Sequence, residues 1–238
     1  MNPKIKFTID IKEDTENAID FVRRHAADTK LDKKFLKWFL PEEVQYILNS
    51  KFSKKEKEKI LINYTESIYN LRQKEIKDGF EKVKKDWGKV EKDYFKIVDR
   101  VFNKYPWPKG DYIGFASIFN MYPRNIIKKT FYFPYIHNIS YYANKVIAHE
   151  MLHFIFFDYI NKHYKLKEDF EFKNKTKRYL WEVSEVFNNV IENWEPYKQI
   201  LKTNFRLYPG TEKMFKKMQS QWQKKQDIDW LLDKWLKV

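Results

Sequence analysis

No cysteine occurs among the 238 residues. That excludes a disulfide framework and any thiolate metal site, so a metal held by this chain must be bound through histidine or carboxylate. Long apolar runs are missing too. Nothing approaches the roughly 20 apolar residues of a membrane-spanning helix, and Met1–Phe7 lacks the apolar core of a signal peptide. These absences lead to the expectation of a soluble, cytoplasmic protein. No internal repeat is present, and no segment is polar enough throughout to serve as a flexible linker.

What the chain has instead is aromatic and basic. Phe, Tyr and Trp make up 18%, ample material for a core, and the net charge is +14. A basic balance can mark a nucleic-acid or anionic-membrane partner. However, only 7 of the 47 basic residues are arginine, the side chain that phosphate binders favour. The plainer reading is a lysine surplus on solvated helix faces.

Lys4 to Ile11 alternates apolar and polar residues, the pattern of a half-buried strand. Helical patterns follow over Thr15–Ala27 and Leu31–Leu40, and Pro41-Glu42-Glu43 opens another. From Ser53 to Asn103 the chain is charged and helical, with breaks expected at Gly79 and Gly88. Asp111–Tyr122 and Ile126–Tyr135 are rich in aromatic and β-branched residues, and Pro123-Arg124-Asn125 between them reads as the turn of a hairpin. Pro134 cannot donate to a sheet, so the second of these strands is expected at an edge, with backbone groups available to an extended peptide. If the first strand joins this hairpin, one domain covers 1–238: an N-terminal strand and helices over 1–105, then a catalytic part over 106–238. Two further helices are expected, Arg178–Trp194 and Glu212–Leu236.

One stretch differs from everything around it. In Val146–Phe157 the only polar side chains are His149, Glu150 and His153. They form H-E-x-x-H, which on a helix sets two metal-binding imidazoles one turn apart with a carboxylate beside them. At about 100° per residue, His153 lies roughly 40° and Glu150 roughly 100° around the axis from His149. A helix apolar nearly all round is buried, and burying these groups without partners is costly. A divalent metal removes the difficulty. Zinc needs a third protein ligand and an open position for water, with Glu150 as the general base. With no cysteine, the third ligand must be Glu, Asp or His. Asp158 points about 180° away from His149. His163 lies in a polar connection, and His25 and His137 read as incidental.

His149-Glu150-Met151-Leu152-His153, followed by a glutamate on a later helix, resembles the gluzincin branch of the zincin metallopeptidases. The resemblance covers about Tyr112 to Trp194. It implies a third ligand glutamate on a second helix and, in thermolysin-like members, an acid four residues on that hydrogen-bonds a ligand histidine. In Leu180–Asn189 the matching pair is Glu185 with Asn189. Aminopeptidase-type members place their glutamate after a tryptophan and a short polar residue, which also favours Glu185 over Glu182; His163 and Glu192 are the remaining alternatives. The chain departs from the family in having Asn189 where an aspartate is usual and a longer spacing from His153 to Glu185. It also lacks a Gly-x-Met-Glu-Asn stretch, and Phe156 and Tyr159 occupy the places of the metzincin glycine and histidine. Tyr208 is a candidate for stabilising the oxyanion, a role the family gives to Tyr or His.

The resemblance therefore implies an α+β, predominantly helical, zincin-like fold. Its small mixed sheet would pack an edge strand on a buried HExxH helix, with a second helix bearing the third ligand. The implied function is that of a metallopeptidase with one Zn2+, cleaving a peptide or protein laid antiparallel along the strand that ends near Tyr135. Two rivals belong to other classes: a basic DNA-associated protein, and a zinc-binding scaffold without activity.

Overall fold

In the computed structural model, residues 2–25, 37–48, 51–135, 142–166, 175–202 and 207–236 are described. Strand β1 (Ile5–Thr8) is shorter than the alternation over Lys4–Ile11. Asp10 ends it: its carboxylate accepts the Glu13 N–H at 3.1 Å and its carbonyl the Asp14 N–H at 3.0 Å, opening α1 (Ile11–His25). The expected helix over Leu31–Leu40 lies mostly outside the described residues. Behind Pro41, Glu42–Leu48 forms a 3-10 helix.

Helix α2 (Lys54–Leu71) begins with a reciprocal cap. Ser53 N–H donates to the Glu56 carboxylate at 2.7 Å, and Glu56 N–H to Ser53 Oγ at 3.3 Å. Helix α3 (Gln73–Val101) then runs unbroken through Gly79 and Gly88, where breaks were expected. Each glycine costs a helix about 1 kcal/mol. That cost is outweighed by burying one stripe that includes Ile76, Phe80, Val83, Trp87, Tyr94, Val98 and Val101. On the solvated face, Lys82, Lys84, Lys89 and Lys96 pair with acids three or four residues away.

The sheet corrects the expected hairpin. Strands β2 (Tyr112–Ser117) and β4 (Thr130–Pro134) pair in parallel, and β1 pairs in parallel with the other side of β2. Strand β3 (Arg124–Asn125) runs antiparallel to β4, giving the order β1-β2-β4-β3. The reason lies in the connection. Phe119 and Met121 do not continue β2; they bury under α1 in a separate apolar cluster with Ile19, Val22, Val44 and Leu61, and Asn17 Nδ2 holds the Met121 carbonyl at 3.2 Å. The chain is drawn off the sheet and returns in the same direction, which a parallel crossover requires. The strand preceding the motif helix is consequently not the edge over its first half. Arg124 and Asn125 cover Thr130 and Phe131, and the Tyr132 N–H donates to the Pro123 carbonyl at 3.2 Å.

Helix α4 (Tyr142–Tyr164) packs on β4, α3 and α5 (Lys175–Glu192) and is buried along most of its length. Aromatic contacts fix it: Phe154 meets Tyr112 edge-on, and Phe187 of α5 meets Phe102 edge-on and Phe156 at a tilt. Beyond α5 come α6 (Glu195–Leu201), α7 (Glu212–Lys224) and α8 (Ile228–Leu236). The single helix expected over Glu212–Leu236 is divided because Asp227 caps a new start, accepting the Trp230 N–H at 2.9 Å. Among the described residues no helix is long and apolar enough to cross a membrane.

Two positions test this packing. At Gly114 a Cβ would come within 2.9 Å of the Phe131 ring and 3.1 Å of the Phe7 ring. Gly114→Ala should therefore cost about 1–3 kcal/mol in denaturant unfolding. Asp14 is buried, accepting hydrogen bonds from the Tyr69 hydroxyl and the Ile118 N–H, each at 2.9 Å. Burial nonetheless pushes its carboxyl up to about 6. The folded protein thus holds this proton more tightly than the unfolded chain. Asp14 should make stability greatest below about pH 4 and remove on the order of 3 kcal/mol as pH rises from about 4 to 6. Asp14→Asn should abolish that slope in unfolding curves taken across this range.

Candidate metal centre

The centre forms where α4 and α5 face one another. On α5, Glu185, Asn188 and Glu192 are three and seven residues apart and so share a face. By sequence pattern alone this would be a solvated face. Here it is buried against α4: Glu185, Asn188, Asn189 and Glu192 are each no more than 3% exposed. Asn188 Nδ2 donates to the His149 carbonyl at 3.1 Å, and Tyr94 from α3 donates its hydroxyl to the Ala148 carbonyl at 2.9 Å. These bonds fix the motif helix at the residue that begins the motif.

Donor atoms of three residues converge. His149 Nε2 lies 3.1 Å from His153 Nε2 and 3.2 Å from Glu185 Oε2, while His153 Nε2 lies 3.4 Å from Glu185 Oε1. In a tetrahedral zinc site with bonds of about 2.0–2.1 Å, neighbouring ligand atoms stand about 3.3 Å apart. The two nitrogens, and each nitrogen with one oxygen of the Glu185 carboxylate, stand at separations of that size. His149 Nδ1 lies 2.6 Å from Glu192 Oε1. A histidine that donates from Nδ1 to a carboxylate turns Nε2 toward the shared point, the usual arrangement of a metal-binding imidazole.

The electrostatics agree with this geometry. Glu150, Glu185 and Glu192 are buried together, and among the described residues the guanidinium beside them is that of Arg124, whose Nη1 is 3.3 Å from Glu185 Oε1 and 3.8 Å from Glu150 Oε2. Among the described residues the carboxylates outnumber this guanidinium, an excess of buried negative charge that a divalent ion would offset. The same charges set the proton affinities of the cluster. Burial opposes charge on His149, but the Glu192 and Glu185 carboxylates outweigh it and hold its pKa well above the usual value. Burial, with Arg124 nearby, pushes His153 down to about 3. Burial also opposes charge on Glu185, yet His153, His149 and Arg124 together keep it well below the ordinary carboxylate range. Burial pushes Glu150 up to about 7.

Of the residues expected from sequence, His149, His153 and Glu185 come together as a possible metal-binding group with Glu150 beside them. Asn189 does not take the expected role: its Nδ2 donates to the Glu185 carbonyl one turn back at 2.8 Å, and Glu192 is the acid that reaches His149. The helix geometry explains the difference, because a residue seven positions on returns closer to the face of Glu185 than one four positions on. Glu182 pairs with Arg178 outside the site. His163 stacks on Tyr159, Asp158 accepts from the Tyr105 hydroxyl, and His25 packs on Phe21. His137 lies outside the described residues. Tyr208 packs on Trp181, and the nearby negative charge of Glu185 pushes its hydroxyl pKa up.

Two contributions escaped sequence reasoning: the contact of Glu192, weighed there only as an alternative third ligand, with His149 Nδ1, and the presence of Arg124. Glu192 carried a usable signal, its seven-residue spacing from Glu185. Arg124 carried none, since only the sheet brings β3 to α4 and α5.

No family model, curated protein or solved structure matches the chain. Zinc affinity, measured by chelator competition, tests the geometry directly. Glu192→Gln should weaken it about 10–100-fold by removing the acid that orients His149. Glu182→Gln should leave it unchanged.

Proposed function

We propose that the chain is a zinc-dependent metallopeptidase of the gluzincin type, acting as an endopeptidase. The observation that carries this reading is the convergence of His149 Nε2, His153 Nε2 and the Glu185 carboxylate at 3.1–3.4 Å, two residues from the motif helix and one from a separate helix. The donor set of two imidazoles and one carboxylate is that of a zinc hydrolase, which keeps a fourth position open. Once bound, the zinc ion supplies Lewis acidity, polarising a carbonyl and lowering the pKa of a water to about 7.

The remaining work belongs to the chain. Glu150 is the buried carboxylate adjoining the ligands and takes the proton of the attacking water. It then returns that proton to the leaving amine nitrogen as the C–N bond breaks. Glu192 holds the His149 ring so that Nε2 stays directed at the ligand position. The apolar walls of α4 exclude other water, which strengthens every charge interaction inside. The outer strand β3 leaves an edge beside the site on which an extended peptide can add as a further strand. The Tyr208 hydroxyl, close enough to feel the charges of Glu185 and Glu150, is a candidate donor to a developing oxyanion.

Glu150→Gln should retain one zinc ion per chain and lose hydrolysis of a fluorescence-quenched peptide mixture by at least about 10³-fold. Hydrolysis surviving in that variant would sink the mechanism. A wild-type protein that binds zinc and cleaves none of the mixture would instead identify an inactive zinc-binding scaffold.

A further inference from the structure

Arg124 is a strongly polar side chain in the centre that the mechanism above leaves without a task. Its side chain is 11% exposed, and it enters from β3, the outer strand of the sheet, rather than from either ligand-bearing helix. Burying a guanidinium is costly unless its charge is matched. Among the described residues its charge is matched by the ligand Glu185 and the base Glu150, at 3.3 and 3.8 Å from the same nitrogen. The face of the guanidinium lies 5.7 Å from the centre of the Phe157 ring, and Phe157 in turn stacks beside His153.

We propose that Arg124 is a catalytic residue, the cation that meets the substrate carbonyl oxygen as negative charge builds on it. The proposal rests on the peptidase reading above. A water whose proton passes to Glu150 attacks a carbonyl carbon within a few ångströms of Glu150, and Arg124 Nη1 already occupies that neighbourhood. The charges then shift in its favour. Glu150 is neutralised as it takes the proton, and Glu185 shares its charge with the metal, so the holds of these two acids on Arg124 weaken while a new anion forms beside it. The guanidinium has five donors in a rigid fork, so it can keep one contact to Glu185 and turn another toward the oxygen. Arg124 gives up no proton. The O–C bond forms, the C–N bond breaks, and the proton travels from water through Glu150 to the amine.

Arg124→Gln and Arg124→Lys test this in the full-length, zinc-loaded protein. Zinc affinity should stay within about threefold of wild type or tighten, because a cation beside Glu185 has been removed. In Arg124→Gln, kcat on the peptide mixture should fall about 10²–10³-fold with KM little changed. Arg124→Lys, which keeps the charge and loses the fork, should recover part of the loss. A phosphoramidate dipeptide, a tetrahedral anion, should lose affinity by a similar factor, while acetohydroxamate, which needs only the metal, should not. Loss of zinc in Arg124→Gln would overturn the proposal and make Arg124 a positioning residue for Glu185. Full kcat, or undiminished phosphoramidate binding, would also overturn it. A wild-type protein that binds zinc without cleaving peptides defeats the peptidase reading itself; the phosphoramidate comparison needs no turnover and judges Arg124 separately.

Discussion

The structure depends on one electrostatic constraint, the burial of three carboxylates, two imidazoles and a guanidinium between α4, α5 and β3. Separately, each of these groups would cost several kcal/mol to remove from water. Together they are tolerable only in an arrangement where every charge faces an opposite one, and that requirement fixes the relation of the two helices. Glu185 and Glu192 must lie opposite His149 and His153. The face of α5 that carries them must therefore turn inward, although its composition suits solvent.

Much of the surrounding fold supports that contact. Tyr94 and Asn188 hold carbonyls at the start of the motif from opposite sides. Phe102 and Phe156 both pack on Phe187, linking α3, α4 and α5 in one apolar cluster. The sheet contributes through its far strand: β3 has only two residues, and one of them brings the guanidinium. A hairpin between the two aromatic stretches would not have produced this. The crossover that makes β2 and β4 parallel also carries Arg124 around to the outer side of β4.

Where local signals agreed with packing, the sequence was legible. The alternation at Ile5 and Phe7, the apolar run at Val146–Phe157 and the periodic stripe of Arg178–Trp194 each report a backbone period, and each appears as the expected element. Legibility failed where a distant partner changed the outcome. Gly79 and Gly88 read as breaks because their cost is local, whereas the burial that offsets it spans eight turns of α3. Phe119 and Met121 read as strand because they are apolar and follow β2, yet α1 provides their burial. Asn189 is the expectation from likeness to a family pattern, and the geometry of a helix instead brings the residue two turns on, Glu192, to His149.

By itself, the sequence determined the chemistry available at the centre. Without cysteine the donors had to be imidazole and carboxylate, and the H-E-x-x-H spacing put both histidines on one side of a helix that had to be buried. Those conclusions follow from covalent chemistry and a 3.6-residue period, which act within a few residues. Only the tertiary structure decided which acid faces the histidines, which one orients them, and that an arginine from the sheet joins the cluster. Those choices depend on how two helices and a strand far apart in sequence share one low-dielectric volume, where charge balance is set by the whole assembly and no local pattern records it.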